Sequence, residues 1–185
     1  FVRSARPAMR LTLFALGWLV VIGAVAVWLV DSGRWTPAQP DRTTYPVLGI
    51  DVSRHQGDID WERLAAGSDV RFAYVKATEG GDWTDPHFAR NWRGAEAAGI
   101  ARGAYHFFTF CRSPEEQAAH VLRTVPDEPG TLPLAVDVEY GGNCETYGTE
   151  DDVRQRLGRF LEILRDSLGY APPLYAVYSS YPDFV

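Results

Sequence analysis

Two carboxylates at the end of one predicted strand are the residues of this chain best suited to catalysis. Asp137 and Glu139 follow the apolar run Leu134 to Val136, which is typical of a strand buried on both faces. Alternate side chains of a strand point to the same side, and positions i and i+2 lie roughly 6.5 Å apart at about 3.3 Å per residue. Such a pair suits glycoside hydrolysis, in which one carboxyl group with a raised pKa protonates the leaving oxygen and the other stays ionised. The alternative is a strand end whose acids face solvent or cap the next helix.

The elements that must position this pair alternate along the chain as strand and helix. Ser113 and the following proline predict one helix start, and apolar residues at helical spacing before Gly169 predict a longer helix. Strands separated by helices imply a parallel sheet with right-handed crossovers, and five such units without a closing edge indicate an incomplete (β/α) barrel of the TIM-like type. The predicted strands are 47–52, 71–77, 101–109, 133–138 and 174–178, and the predicted helices are 61–66, 87–98, 114–124 and 151–168.

Active groups of such barrels lie at the carboxyl ends of the strands. The rule places polar and aromatic residues from all five strands in one region: Asp51, Lys76, the segment Tyr105 to Phe107, the pair Asp137 and Glu139, and Tyr178. No single one of these motifs identifies a site, but their coincidence at the strand ends does.

Several of these residues have a structural alternative. The aromatic residues either form the stacking walls of a sugar groove or belong to the core, and they are Tyr74, Tyr105, Phe107 and Tyr178. Lys76 either balances the carboxylates or caps a strand end. His106 is predicted to be a hydrogen-bonded core histidine, because the other histidines show no metal-ligand spacing with it. The sequence predicts neither a metal site nor a cofactor.

Four short motifs occur in order from about residue 48 to the end of the chain. They resemble the family 25 glycoside hydrolases, the lysozymes of the Chalaropsis type. Four collinear motifs at strand ends are far more specific than any one of them alone. The motifs are Gly49-Ile50-Asp51-Val52-Ser53 with Gln56-Gly57, Lys76-Ala77-Thr78-Glu79-Gly80, Gly103-Ala104-Tyr105-His106-Phe107 and Asp137-Val138-Glu139.

The resemblance implies an irregular barrel that hydrolyses the β-1,4 bond between N-acetylmuramic acid and N-acetylglucosamine in peptidoglycan. Glu139 matches the general acid, and Asp137 matches its partner, either as the nucleophile or as the group that orients a substrate acetamido group. Asp51 matches the acid of the first strand. Gln56 matches a loop glutamine that contacts substrate, and Glu79 is either a rim contact or a solvated loop acid. A further acid from a late strand is expected in the family, and this chain ends before it.

Two other classes of protein are compatible with the same barrel. One is a noncatalytic module that binds peptidoglycan, and the other is a structural envelope protein that uses the barrel as a scaffold for partners. Retention of Asp51, Asp137 and Glu139 argues against the binding module. The sequence says nothing about oligomeric state.

The first part of the chain has a different character. Residues 11–30 carry no charge, Arg3, Arg6 and Arg10 precede them, and Asp31 follows. This pattern predicts a single transmembrane helix in contact with the lipid bilayer, a basic cytoplasmic tail at 1–10, a linker at 31–45 and a truncated catalytic domain at 46–185 outside the cell membrane. The alternative is a signal peptide that is cleaved, in which case the domain is secreted.

Charge and cysteine usage agree with an external location. The formal net charge is −6, and every acidic residue follows residue 30, which disfavours nucleic acid as a partner. Cys111 and Cys144 each come just after a predicted strand, so neighbouring strands would bring their loops to one rim. We therefore predict a disulfide between them, with two unrelated free thiols as the alternative.

Overall fold

A computed structural model describes residues 6–31 and 41–176, in two compact units that divide after Pro46. The first unit contains helix α1, Arg6–Asp31, in which the side chains described at 16–28 are almost all exposed. Within the described part of the chain, no helix is both long and apolar enough to cross a membrane. The structure therefore does not support the transmembrane helix predicted at 11–30.

The predicted linker at 31–45 is described only in its last residues. The Asp41 carboxylate accepts hydrogen bonds from the backbone of Thr43 and from the hydroxyl groups of Thr43 and Thr44. These bonds hold the pKa of Asp41 below its usual range. They form a local turn just before the second unit begins.

Strands and helices alternate through the second unit, as predicted. In chain order they are β1 Leu48–Val52, α2 Trp61–Gly67, β2 Val70–Glu79, β3 Trp83–Thr84, α3 Phe88–Ala97, β4 Ala101–Phe107, α4 Pro114–Thr124, β5 Ala135–Val138, α5 Glu150–Leu168 and β6 Leu174–Ala176. The order of the parallel strands in the sheet is β1-β2-β4-β5-β6, and the short β3 pairs antiparallel with β2. The result is a curled parallel sheet that forms half of a barrel, which confirms the predicted α/β class.

The helix ends follow the local chemistry of the sequence. Ser113 caps α4 by accepting a hydrogen bond from the backbone of Glu116, and a proline occupies the first turn. Thr149 and Asp152 form a reciprocal capping box at the start of α5, and the helix ends at Gly169 with φ of 78°. The predicted apolar stripe of α5 is buried at Val153, Leu157, Phe160 and Leu164.

The helices cover one face of the sheet and make the core with it. Alternate residues of the strands, including Ala73, Val75, Val136 and Val138, are completely buried on this outer face. His106 also lies there, against the ring of Phe160 at 5.0 Å between centroids. The apolar stripe predicted for α5 therefore lies in the core, whereas β5, predicted to be buried on both faces, is fully buried on one face only.

His106 is a core histidine with hydrogen bonds at both ring nitrogens, as predicted. Its Nδ1 lies 2.8 Å from the Thr78 hydroxyl, and its Nε2 lies 3.2 Å from Oε1 of Gln117. The same Gln117 amide accepts from the Thr109 backbone N–H at 2.8 Å and donates to the Thr109 carbonyl at 3.0 Å. Burial lowers the pKa of His106 to about 3, so the ring is neutral. The hydrogen bonds of Gln117 connect α4 to the end of β4.

Candidate active site

The inner face of the curled sheet faces away from the helices and lines an open cavity of about 610 Å³. Tyr74, Lys76, Tyr105 and Asp137 are half-buried on this face, whereas their neighbours along each strand are buried against the helices. The strand register places Phe107 beside Asp137, and Asp137 beside Tyr175. The cavity is lined by Asp51, Gln56, Tyr74, Lys76, Tyr105, Phe107, Asp137, Glu139 and Tyr175, among others. The strand-end rule therefore brought residues from separate motifs into one site.

Asp137 is the most perturbed carboxyl group of this cavity. Burial, followed by the charge of Glu139, raises its pKa to about 7, while the charge of Lys76 acts in the opposite direction. Its Oδ1 is buried and has no hydrogen-bond partner among the described residues. A buried acceptor without a partner is costly unless a ligand supplies the donor. The expected pair of one perturbed and one partner carboxyl group is thus present at the end of β5.

Tyr105 lies between the acidic residues of β1 and β5, Asp51 and Asp137. Its ring lies on β4, next to Lys76 in the register. Burial raises the pKa of the Tyr105 phenol, and the charges of Asp51 and Asp137 raise it further. The phenol therefore stays protonated between carboxylates from β1 and β5, where it can donate a hydrogen bond.

Lys76 lies in the interior of β2 and not at its end, which corrects the sequence prediction. The strand continues to Glu79, and its last residues pair with β4 on one side and with β3, which folds back, on the other. The Lys76 Nζ lies 2.8 Å from the Glu79 carboxylate and 4.7 Å from the centre of the Phe107 ring. Lys76 thus contacts both an acid and an aromatic wall, and its charge opposes the rise of the Asp137 pKa.

Three of the predicted binding residues have intramolecular partners. The Tyr74 hydroxyl donates to the Pro133 carbonyl at 3.1 Å, so its polar end serves the fold although its ring lines the cavity. Oε1 of Gln56 accepts from the Ser53 backbone N–H at 2.8 Å and caps a short 3₁₀ turn. Glu79 is the partner of Lys76 and does not line the cavity.

One predicted residue, Tyr178, lies outside the described residues. Its predicted strand is described only as Leu174–Ala176, and there Tyr175 lines the cavity with a side chain that is 58% exposed. Tyr175 was not predicted, because the strand-end rule favours Tyr178 at the end of the predicted strand. The alternation of side chains along a strand could have predicted Tyr175 only if the register of its strand against β5 had been known.

Two further residues of the site region were missed. His55 follows Ser53 in the loop after β1 and lines the cavity. Asp85 is 2% exposed, and its carboxylate accepts from the backbone of Arg54 at 2.9 Å and of His87 at 2.8 Å. The signal for Asp85 was its position immediately before a proline at a helix start, where a capping acid is common.

The predicted disulfide is present. Cys111 and Cys144 are bonded, with 6.0 Å between their Cα atoms, and they join the loop after β4 to the loop after β5. Asn143, next to Cys144, was not singled out in the sequence. Its side-chain amide contacts the backbone of both loops, including the Glu139 carbonyl at 2.9 Å.

No metal centre is evident in the part of the chain that the structure describes. Nowhere in 6–31 or 41–176 do three or more histidine, cysteine, aspartate or glutamate residues come together as a metal site. The titratable side chains that line the cavity include Asp51, Lys76, Tyr105, Asp137 and Glu139.

Comparisons with known proteins place this geometry in a family. The chain is 39% identical over 137 residues to the uncharacterized protein YegX of Escherichia coli (strain K12), across 72% of this chain and 49% of that protein. It is 50% identical over 64 residues to Lysozyme M1 of Streptomyces globisporus, across 35% of this chain and 21% of that protein. The chain thus spans about half the length of YegX, and less of Lysozyme M1.

A solved structure shows the same fold. The family 25 glycosyl hydrolase from Bacillus anthracis superposes with a TM-score of 0.72 and 36% identity, covering 80% of this chain and 67% of that one. The sequence profile of Glycosyl hydrolases family 25 matches residues 50–183, which extend from within β1 through β6 and include all three acidic residues of the cavity. On this evidence the chain belongs to glycosyl hydrolase family 25.

Proposed function

We propose that this domain is a peptidoglycan muramidase, which hydrolyses the β-1,4 bond between N-acetylmuramic acid and N-acetylglucosamine. Family membership and the similarity to Lysozyme M1 support the reaction class. The observation that carries the proposal is the state of Asp137, whose pKa is raised to about 7 and whose buried Oδ1 has no partner among the described residues. Perturbed carboxyl groups that face a groove are the usual requirement for glycoside hydrolysis.

Glu139 is assigned as the general acid and Asp137 as its partner. Glu139 lies one residue beyond the end of β5, at the mouth of the cavity, where a leaving oxygen could receive its proton. Asp137 lies within the strand and presents an oxygen without a partner, which suits a group that accepts a hydrogen bond from the N–H of a substrate acetamido group. The nucleophile role remains the alternative for Asp137.

The pKa of Asp137 favours a competing assignment of the two acids. A raised pKa is the property expected of a general acid, and burial gives it to Asp137. If Asp137 were the proton donor, Glu139 would be the ionised partner. A substrate whose leaving group departs without protonation distinguishes the two assignments. The variant that has lost the general acid, either Glu139→Gln or Asp137→Asn, should keep activity on it.

Asp51, Tyr105 and Lys76 complete the proposed site. The Tyr105 phenol, held protonated beside Asp51 and Asp137, supplies a hydrogen bond to a sugar or to a carboxylate of the site. Lys76 offsets part of the negative charge around Asp137. The rings of Phe107 and Tyr175, on either side of Asp137 in the register, are proposed as walls for a sugar ring.

The test uses purified peptidoglycan and the full-length protein. We expect loss of turbidity, and mass analysis of the released fragments should show muramic acid at the new reducing ends. N-acetylglucosamine at the reducing ends would identify a different bond specificity. A folded protein that binds peptidoglycan without cleaving it would contradict the proposal in favour of a noncatalytic binding module.

We also propose, from the sequence pattern alone, that residues 11–30 hold the domain outside the cell membrane. The supporting features are the absence of charge in this segment and the three arginine residues before it. Membrane fractionation followed by protease protection tests the proposal. Recovery of the protein in the soluble fraction of lysed cells, or cleavage of the domain from the cytoplasmic side, would contradict it.

A further inference from the structure

Glu139 lies beyond the part of β5 that the sheet holds in place. The register between β4 and β5 ends at the pair Phe107 and Asp137, and β5 itself ends at Val138. One further backbone bond, from Phe108 N–H to the Asp137 carbonyl at 2.9 Å, extends the first of these. Among the described residues, the loop that follows β5 makes a contact that can hold Glu139 in position.

The side chain of Asn143 makes such a contact. Its Nδ2 donates to the Glu139 carbonyl at 2.9 Å and to the Phe108 carbonyl at 2.9 Å. Its Oδ1 accepts from the Phe110 N–H at 2.8 Å and from the Cys144 N–H at 3.0 Å. A single amide thus meets four backbone groups, two donors and two acceptors, and uses its full hydrogen-bonding capacity.

These four bonds join the two loops that border the cavity. Phe108 and Phe110 belong to the loop after β4, and both are fully buried, so that loop is a fixed support. Glu139 and Cys144 belong to the loop after β5. The disulfide and the packed rings of Phe110, Tyr140 and Tyr147 also join the loops, and of these described contacts the Asn143 amide reaches the backbone of Glu139 itself.

We propose that Asn143 is a positioning residue that fixes the carboxyl group of Glu139 relative to Asp137; the proposal rests on the muramidase function proposed above. Asn143 acts through the backbone of Glu139 and does not itself touch the substrate. A displacement of about 1 Å in a catalytic group can cost about 100-fold in rate. The geometry explains why an amide is needed, since an aspartate would place a second oxygen against two carbonyl groups.

The test compares two substitutions in the full-length protein. Asn143→Ala removes all four hydrogen bonds, whereas Asn143→Asp keeps the two that accept from Phe110 and Cys144. We expect each variant to lower kcat on peptidoglycan at least about tenfold with KM within about twofold of the original value. A folded Asn143→Ala or Asn143→Asp variant with unchanged kcat would overturn the proposal.

The pH dependence of Asn143→Asp separates positioning from a general loss of stability. As the pH falls, protonation gives the new carboxyl group an O–H donor that can serve one of the two carbonyls. We therefore expect the kcat of Asn143→Asp, relative to that of Asn143→Ala, to rise at least about threefold as the pH falls toward the carboxyl pKa. A constant ratio across this range would contradict the proposed donor role.

Asn91 provides a matched control. It is a buried asparagine on α3 that does not line the cavity, and its Oδ1 accepts from the Trp61 indole N–H at 3.4 Å. Asn91→Ala should lower the melting temperature and leave kcat within about twofold. A kcat loss in Asn91→Ala equal to that in Asn143→Ala would show that the effect is merely one of stability and would overturn the proposal.

Hydrogen exchange tests the contact without any turnover. In Asn143→Ala the amides of Phe110 and Cys144 lose their acceptor, so their exchange should become at least about tenfold faster, whereas Asn143→Asp should protect them. Unchanged exchange in Asn143→Ala would overturn the proposal. Absence of turnover in the unsubstituted protein would instead refute the muramidase function, and the exchange result would still decide whether Asn143 holds the two loops.

Discussion

The two faces of the same sheet treat buried titratable groups in opposite ways. On the outer face His106 has a partner at each ring nitrogen, and burial lowers its pKa to about 3. On the inner face Asp137 is also largely removed from water, and its pKa is raised to about 7, but its Oδ1 has no partner among the described residues. Burial shifts the pKa of each group in the direction that favours its neutral form. The difference is that both ring nitrogens of His106 have hydrogen-bond partners within the protein. Oδ1 of Asp137 has none among the described residues and can accept a hydrogen bond from a ligand.

This contrast distinguishes structural from functional polar residues without reference to a family. A satisfied buried group stabilises one arrangement of the chain, and substituting it should alter the free energy of unfolding. An unsatisfied group lowers stability and is retained for its chemistry. Substitutions on the two faces should therefore have separable effects on turnover and on stability.

The largest effect is expected at Glu139. Glu139→Gln removes one proton and little volume, so we expect kcat on peptidoglycan to fall about 1,000-fold while saccharide binding and the melting temperature stay close to their original values. A substrate with an acidic phenol as leaving group should retain much more activity, because its departure needs less protonation. If Asp137→Asn shows that selective retention and Glu139→Gln does not, the two acids have the opposite roles.

The next effect concerns the outer face. Gln117→Leu leaves backbone groups of Thr109 and a ring nitrogen of His106 without partners, so the free energy of unfolding should fall by about 3 kcal/mol. Denaturant titration measures this loss. Gln155→Leu, at an exposed position of α5, is the matched control and should change stability by less than about 0.5 kcal/mol. Equal losses in the two variants would contradict the structural role of the Gln117 network.

Asp137→Asn should stabilise the protein while removing activity. The folded-state pKa of Asp137 is raised from 3.8 to about 7, so the folded state favours the protonated acid, and the free energy of unfolding falls as the pH rises between these values. Asparagine does not ionise, so we expect the free energy of unfolding of Asp137→Asn to exceed that of the original protein by about 2 kcal/mol at pH 8. This gain should disappear as the pH falls toward 3.8, the ordinary pKa of an aspartate. Thermal unfolding across this pH range is the measurement, and a gain independent of pH would contradict the burial argument.

The smallest effect is expected at Tyr74, where the role of the ring can be tested apart from that of the hydroxyl group. Tyr74→Phe keeps the ring in the cavity and removes the hydrogen bond to the Pro133 carbonyl, so stability should fall by about 1 kcal/mol with KM unchanged. Tyr45→Phe, at an exposed ring of the first unit, is the control and should have no measurable effect. A large rise in KM for Tyr74→Phe would show that the hydroxyl contacts substrate.

Much of the fold could be predicted because its signals are local. Ser113, Thr149 and Gly169 mark helix ends through their own backbone chemistry, and the apolar stripe of α5 follows from helical spacing. The acids at Asp51, Asp137 and Glu139 could be grouped because parallel strands end at one edge. Cys111 and Cys144 could be paired for the same reason.

The remaining features depend on contacts between distant segments. The continuation of β2 past Lys76 involves pairing with β4 and with β3, a strand of two residues that has no periodic signal. The position of Tyr175 beside Asp137 is a matter of register, which no single strand reveals. Asn143 lies in a loop, and its importance arises only when two loops meet. These are tertiary constraints, and composition and spacing carry little information about them.

The disulfide makes the chain between Cys111 and Cys144, including all of α4 and β5, a closed covalent ring. The exposed turn at 127–130 lies inside that ring, so a protease that cuts there opens the ring without separating the two halves of the domain. On a denaturing gel the cut protein should migrate as one species until it is reduced and then as two. In an oxidising and protease-rich environment, the disulfide therefore keeps the fragment with Glu139 covalently linked to the fragment with β1 and β2 after the backbone has been cut.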